Sequence, residues 1–155
     1  MLKINETGYW PYTNPMPLLR GLREALTMMH EEGLDNIYAR HLFLAQAVQK
    51  ASVAWGLNLC AKDSSLYSNT VTAIMVPEGI DSTDIVKTAY NKYNTSFGGG
   101  LNKVAGKLFR IGHLGDLNST MILGAISTAE LAMYDVGVKF ELGSGVAAAI
   151  KHLKV

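Results

Sequence analysis

The sequence predicts an α+β (mixed α/β) fold, in which a small and mostly antiparallel sheet carries helices on one face. The predicted elements follow one another as helix, strand, strand, helix, strand, strand, helix, helix. Runs of this kind favour a layered arrangement, because a doubly wound sheet needs strands that alternate strictly with helices. The 155 residues suit one domain, and 48% of them are apolar, which is enough to bury a core.

The first helical region, which is either two helices or one long bent helix, is predicted from the spacing of apolar residues. These residues recur at helical intervals from Leu18 onward, after two prolines of the kind that favour the first turn of a helix. Gly33 interrupts the pattern. A second helical run then covers 36–55, with Asp35 as its expected cap and Gly56 as its end.

Four short strands and three further helices are predicted downstream. The stretch 70–76 is rich in β-branched residues and precedes a proline, so it is the clearest strand. The glycines at 98–100 are expected to form a turn between two strands. The other strands are placed at 57–60, 95–97 and 107–114, and the helices begin after Asp81, at Asn118 and near Gly145.

Composition and charge exclude several classes of partner. The net charge is +1 and no basic or acidic run is present, whereas nucleic acid and charged membranes attract concentrated patches of one sign. No apolar run is long enough to span a membrane. The one cysteine, Cys60, allows no internal disulfide, and it is expected to pack as a small apolar residue in a protein of the reducing cytoplasm.

Several familiar motifs fail on spacing. A phosphate loop ending at Gly106 would need a glycine at position 101 and a hydroxyl residue at position 108, and leucine occupies both. His113 and Asp116 lie close together but have no third ligand at suitable spacing, so no metal site is expected. Ser144 lacks the surroundings of a catalytic nucleophile and is expected to start a helix.

Arg110 is the residue that the pattern singles out. Its neighbours Phe109 and Ile111 are apolar, and alternation along a strand places them on a buried face and Arg110 on the other. If that other face is open to solvent, Arg110 is an ordinary surface residue. If it lines a cleft, the guanidinium can bind a carboxylate through two hydrogen bonds. The residues alone favour the surface interpretation.

The stretch FRIGHLGD at 109–116 resembles the class V aminotransferases that use glyoxylate as amino acceptor, the serine–glyoxylate and alanine–glyoxylate enzymes. The resemblance extends over nearly the whole chain, and the order and spacing of its motifs are highly specific. The other matching stretches are GYWPYT at 8–13, LLRGLREAL at 18–26, EEGLDNIYARH at 31–41, GGGLNKVAGKL at 98–108 and GVAAAI at 145–150.

The resemblance implies a domain division and a cofactor. Residues 1–17 would form an extended segment at the end of a large domain, and 18–155 would form the C-terminal small domain. These enzymes use pyridoxal phosphate and work as dimers. Their Schiff-base lysine lies upstream of the GYWPYT-like segment, where this chain has only Lys3. The chain is therefore expected to lack that lysine, to contain no catalytic residue and to bind no cofactor by itself.

The resemblance also assigns binding roles. Arg110 matches the arginine that binds the carboxylate of the amino acid or glyoxylate, which reverses the surface interpretation. Thr13 matches a threonine that reaches the cofactor phosphate of the partner subunit. The companion tyrosine falls on Trp10, which has no hydroxyl group, so Tyr12 or Tyr9 would have to substitute for it.

Two functions follow as hypotheses. The first is the C-terminal domain of a pyridoxal-phosphate-dependent aminotransferase of the serine–glyoxylate type, which binds the substrate carboxylate but is not catalytic alone. The alternative is a free-standing α+β module, derived from that domain, that mediates oligomerisation or binds a small carboxylate. We expect either self-association as a homodimer or larger homo-oligomer or a disordered N-terminal stretch, because apolar side chains within residues 1–30 would otherwise lack cover.

Overall fold

The computed structural model describes residues 2–154, and it describes their side chains apart from those of Leu2 and Asn5. The chain divides into two compact units, Met1–Ile37 and Tyr38–Val155. The domain boundary expected at residue 17 from the resemblance stays a prediction. The helices are α1 (Leu2–Asn5), α2 (Met16–Glu32), α3 (Leu34–Ala54), α4 (Ser82–Tyr93), α5 (Ser119–Asp135) and α6 (Ser144–Leu153), and the strands are β1 (Val71–Met75), β2 (Gly98–Gly99) and β3 (Leu108–Gly112).

The sheet is antiparallel throughout, with β3 between β1 and β2. Apolar side chains of the sheet, among them Ile74, Phe109 and Ile111, belong to one buried core together with residues of α3, α4, α5 and α6. The helices of the second unit thus cover one face of a small antiparallel sheet. The predicted α+β fold is confirmed.

The helix starts expected after Asp81 and at Asn118 are confirmed, whereas the cap expected from Asp35 is wrong. The Asp81 carboxylate accepts from the backbone N–H of Thr83 at 2.8 Å, and Asn118 Oδ1 accepts from that of Met121 at 3.0 Å. Asp35 does not cap α3, because it already lies within the first turn of that helix. Gly33, with a φ of 84°, ends α2 directly before α3 begins. As expected, Ser144 begins α6.

The segment expected to be a strand at 57–60 forms only an isolated bridge between Leu59 and Ile74. Two backbone hydrogen bonds join this segment to β1, from Cys60 to Ala73 and from Met75 to Asn58, both at 2.9 Å. Leu59 points inward while Cys60 is exposed, so the expectation that Cys60 packs as a buried apolar residue is wrong. The pairing is too short to constitute a strand.

The strand expected at 95–97 is also displaced, because the residues that pair with β3 are Gly98 and Gly99. Phe97 is buried and packs with its ring 6.0 Å from that of Phe109. The glycines expected in a turn therefore form part of the sheet. Near the N-terminus, the segment expected to be extended throughout contains the short helix α1.

A buried carboxylate that the sequence did not reveal holds the start of α6. Glu130, on α5, is only 3% exposed. Its Oε1 accepts from Trp55 Nε1 at 2.9 Å and from the N–H groups of Gly145 and Val146 at 2.8 and 3.1 Å, and its Oε2 accepts from that of Gly143 at 2.7 Å. The N-terminus of α6 has no cap from its own N-cap side chain, so Glu130 supplies one from a different helix.

The indole of Trp55 also explains why position 145 is glycine. A Cβ atom at Gly145 would overlap Trp55 Nε1 and would lie 2.5 Å from Cε2. Trp55 therefore reaches Glu130 by lying directly against the backbone of α6.

Candidate functional site

Arg110 lies near the middle of β3, the central strand of the sheet. Its neighbours Phe109 and Ile111 are buried at 0% and 1% exposure in the core, whereas Arg110 is half-buried. Alternation along the strand therefore places Arg110 on the face opposite to the helices, as the sequence predicted.

The strands beside β3 leave space for this arginine. In the register of the sheet, Arg110 is directly opposite Ala73 on β1 and Gly98 on β2. Side chains directly opposite each other on neighbouring strands lie on the same face. Arg110 is thus the one long side chain in its row, between a methyl group and a residue with no side chain.

One nitrogen of the guanidinium is fixed by the protein itself. Arg110 Nε donates a hydrogen bond to the carbonyl oxygen of Gly99 at 3.0 Å. Within residues 2–154, the two terminal nitrogens of Arg110 make no hydrogen bond or ion pair. The side chain is therefore held at its base while the fork of N–H donors at its end remains available.

This arrangement suits an anion with two oxygens. A guanidinium presents its donors in a plane that matches a carboxylate, and such paired charged hydrogen bonds are stronger than neutral ones. Half-burial of the side chain reduces the screening that weakens fully exposed ion pairs. The geometry is therefore consistent with recognition of a small carboxylate.

The loop after β3 is fastened to α3 by two residues that sequence reasoning missed. Arg40 Nη1 donates to the carbonyl oxygens of Gly115 and Leu117 at 2.8 and 3.1 Å. The N–H of Gly115 in turn donates to Nε2 of His41 at 3.0 Å. Both side chains lie in the stretch EEGLDNIYARH, but no local pattern indicates that they contact a loop more than 70 residues away.

His113 is fully buried and joins β3 to β1. Its Nδ1 lies 3.0 Å from the carbonyl oxygen of Asn69, which can only accept, so Nδ1 carries a proton. In the neutral ring Nε2 is then an acceptor, and the hydroxyl of Thr72 donates to it across 2.8 Å. His113 was considered from the sequence only as a metal ligand, and the structure shows it as a cross-strand link three residues beyond Arg110.

Burial lowers the pKa of His113 below its ordinary value of 6.5. The hydrogen bond to Asn69 opposes this shift, and the positive charge that His41 can carry lowers the pKa of His113 further. The folded protein therefore favours the neutral ring.

We expect the free energy of unfolding to decrease as the pH falls from about 7 through 6.5, because the unfolded chain then binds a proton that folded His113 does not accept. The loss should end once the pH passes below the lowered pKa of the folded state. Urea denaturation at a series of pH values measures this effect. His113→Asn keeps a donor for the Asn69 carbonyl but does not titrate, so its stability should vary less with pH over this range.

The control for this experiment is His30→Asn, since His30 is exposed on α2. The free energy of unfolding of the His30→Asn variant should vary with pH as that of the unmodified chain does. Asp63 and Asp81 have pKa values held below 3.8 by hydrogen bonds to Ser65 and Thr83, so their contribution is lost only in a more acidic range. Equal pH dependence in the His113→Asn variant and the unmodified chain would contradict the assignment.

The predicted phosphate-binding residues lie in the first unit, in the irregular segment between α1 and α2. Thr13 is exposed, as is Tyr12, whose side chain is 81% accessible. Tyr9 and Trp10 are exposed as well. Arg110 lies in the other unit.

The chain is similar to curated aminotransferases over almost all of its length. It is 59% identical over 152 residues to serine–glyoxylate aminotransferase of Hyphomicrobium methylovorum, covering 98% of this chain and 38% of the relative. It is 52% identical over 154 residues to that of Arabidopsis thaliana, covering 99% and 38%. The chain thus spans about two fifths of the length of these relatives. No protein-family model matches it.

Solved structures agree with this similarity. Pyridoxamine–pyruvate aminotransferase from Mesorhizobium loti superposes with a TM-score of 0.88 at 31% identity, covering 94% of this chain and 38% of that one. Ureidoglycine–glyoxylate aminotransferase from Bacillus subtilis gives 0.82 at 26%, covering 86% and 35%.

The chain is similar in sequence to the serine–glyoxylate aminotransferases, and its structural neighbours are class V aminotransferases. It corresponds to the C-terminal part of the serine–glyoxylate type. The complete enzymes of this group depend on pyridoxal phosphate. The resemblance read from the stretch around Arg110 is confirmed, while the roles expected of Arg110, Thr13 and Tyr12 stay predictions.

Some side chains of this chain have donors that suit part of the cofactor. The exposed hydroxyl groups of Thr13 and Tyr12 are suitable donors to a phosphate group. Among the described residues, no cluster of three or more histidine, cysteine or acidic side chains could hold a metal ion, and no helix is long and apolar enough to cross a membrane.

Proposed function

We propose that this chain acts as the small domain of a pyridoxal-phosphate-dependent aminotransferase that transfers an amino group to glyoxylate. In this role Arg110 binds the carboxylate of the amino acid and of glyoxylate. The observation that carries the proposal is the guanidinium itself, which is fixed through Nε and keeps its terminal nitrogens available among the described residues. The 59% identity to a serine–glyoxylate aminotransferase supports the same substrates.

Arg110 contributes orientation to this reaction. Two hydrogen bonds from its fork would fix the carboxylate plane, so that the bond to be broken at the α-carbon keeps a constant direction. A lysine could supply the charge but not the planar pair of donors. The short neighbours Ala73 and Gly98 leave the approach to the fork open on this face of the sheet.

Thr13 and Tyr12 would hold the phosphate group of the cofactor. We infer that they do so for the partner subunit, in a homodimer located in the cytoplasm. Pyridoxal phosphate, when bound, supplies an electron sink for the substrate. The apolar side chains of α2 support an assembly, since Leu18, Leu22 and Leu26 are more than half exposed and contiguous exposed apolar surface usually marks an interface.

The chain is proposed not to be catalytic by itself. Proton transfer in a transamination needs the Schiff-base lysine as acid and base. No lysine of this chain stands in a motif that resembles the one carrying it in the family.

A hybrid enzyme tests the proposal. It joins the upstream part of the Hyphomicrobium methylovorum aminotransferase, which this chain does not match, to the present chain. We expect the hybrid to form dimers, to bind pyridoxal phosphate and to convert serine and glyoxylate. The isolated chain is mixed with the cofactor, and the excess cofactor is removed. It should then show no visible absorbance from stoichiometrically bound cofactor and no turnover.

The isolated chain is the control for the hybrid enzyme, and the two results separate the parts of the proposal. Turnover by the isolated chain would contradict its dependence on the rest of the enzyme. A hybrid that folds and binds the cofactor but does not act on serine and glyoxylate would contradict the assigned reaction.

A further inference from the structure

Gly98 lies directly beneath the side chain of Arg110. The two residues are paired across β2 and β3, and a Cβ atom added to Gly98 would lie 3.0 Å from Nε of Arg110 and 3.3 Å from both its Cβ and its Cζ. Real Cβ atoms rarely approach other atoms so closely. Arg110 therefore occupies the space that any side chain at position 98 would need.

The backbone does not explain this glycine. Gly98 has no left-handed φ, so an alanine could adopt its conformation. Gly99 also has no left-handed φ, yet a Cβ atom added there would meet no atom within 4 Å. The two glycines of β2 thus differ in whether an added Cβ atom would meet the side chain of Arg110.

We propose that Gly98 is a positioning residue for the carboxylate-binding arginine. Because position 98 carries no side chain, the stem of Arg110 can lie against β2, and Nε can reach the carbonyl oxygen of Gly99 at 3.0 Å. That hydrogen bond restricts rotation of the guanidinium and leaves its terminal nitrogens without a partner among the described residues. The inference rests on the proposed function of Arg110 and adds a cause for its orientation.

Preorganisation is the physical benefit. An arginine side chain has many rotamers, and a freely moving guanidinium would lose that freedom each time a carboxylate binds. A guanidinium that is already held in one plane loses less conformational entropy when the carboxylate binds. A methyl group at position 98 would displace the stem by a few tenths of an ångström and weaken the bond from Nε to Gly99, without changing the charge.

The test compares Gly98→Ala with its matched control Gly99→Ala in the isolated chain. The Nε–H signal of Arg110 is observed by ¹⁵N nuclear magnetic resonance and identified by its loss in Arg110→Lys. We expect hydrogen exchange at this group to be about three- to tenfold faster in Gly98→Ala, as loss of one hydrogen bond implies. Exchange in Gly99→Ala should equal that of the unmodified chain.

Titration with glyoxylate on the same samples gives the second measurement. Gly98→Ala should bind glyoxylate about tenfold more weakly, and Gly99→Ala should bind as the unmodified chain does. Unchanged exchange at Arg110 Nε in Gly98→Ala would overturn the inference, and so would equal effects of the two alanines. If exchange responds to Gly98→Ala while the unmodified chain does not bind glyoxylate, the positioning of the guanidinium is supported and the proposed role of Arg110 fails.

A double variant tests the inference if Gly98→Ala alone does not fold. If the alanine destabilises the chain through contact with Arg110, it should no longer do so once the Arg110 side chain is shortened. Gly98→Ala combined with Arg110→Ala should then be as stable as Arg110→Ala alone in urea denaturation. A double variant that still fails to fold would overturn the inference, because the glycine would then serve the backbone and not the arginine.

Discussion

Glu130→Ala should destabilise the chain by at least about 2 kcal/mol, because each buried donor left without an acceptor costs about 1–3 kcal/mol. The alanine leaves two buried donors without their carboxylate, the indole of Trp55 and the N–H of Gly145, and also the part-buried N–H groups of Gly143 and Val146. A domain of this size has only about 5–15 kcal/mol of stability. Urea denaturation followed by circular dichroism and tryptophan fluorescence measures the loss.

Glu141→Ala is the matched control for this prediction. Glu141 is exposed and lies just before the same helix, so its removal changes the same charge without leaving a buried donor. It should change the free energy of unfolding by less than about 0.5 kcal/mol. Glu130→Gln should fall between the two, since its amide oxygen can accept while its NH₂ group faces further donors. If Glu130→Ala and Glu141→Ala both lowered the free energy of unfolding by a similarly small amount, the role of Glu130 would be contradicted.

Arg110→Lys should lower kcat/KM of the hybrid enzyme for serine and glyoxylate by about ten- to hundredfold. A lysine keeps the positive charge but loses the paired geometry, and hydrogen bonds to charged groups contribute about 1.5–3 kcal/mol. In the isolated chain the same change should shift the melting temperature by less than about 2 °C, since Arg110 donates only one hydrogen bond to the described protein, to Gly99.

Arg23→Lys provides the comparison, because Arg23 is an exposed arginine on α2. It should leave the melting temperature of the isolated chain and kcat/KM of the hybrid enzyme nearly unchanged. If Arg110→Lys unfolds the isolated chain, Arg110 has a structural role. If the hybrid enzyme with Arg110→Lys keeps full activity, the carboxylate does not bind at this arginine.

Much of the site could be predicted because it depends on short-range patterns. The alternation of Phe109, Arg110 and Ile111 established that Arg110 lies on the face away from the core, and the structure agrees. Whether that face binds a carboxylate could not be read from alternation, because a surface arginine gives the same pattern. Only the resemblance over 98–116 changed the interpretation.

The position of β2 shows where local patterns fail. Propensity placed a strand at 95–97 and a turn at the following glycines, because glycine is a poor strand former. The structure pairs Gly98 with Arg110 instead, since a residue without a side chain fits beside the stem of an arginine. Tertiary contact outweighed propensity at this point.

The sequence by itself determined the fold class, the helix starts after Asp81 and at Asn118, the face on which Arg110 lies and the resemblance to serine–glyoxylate aminotransferases. Periodicity and cap chemistry act within a few residues, so they are visible in the order of side chains. The tertiary structure alone decided how Glu130 and His113 are used, because their partners lie 75 and 41 residues away along the chain at Trp55 and Thr72. Such contacts depend on how helices and strands pack, and no local pattern encodes that packing.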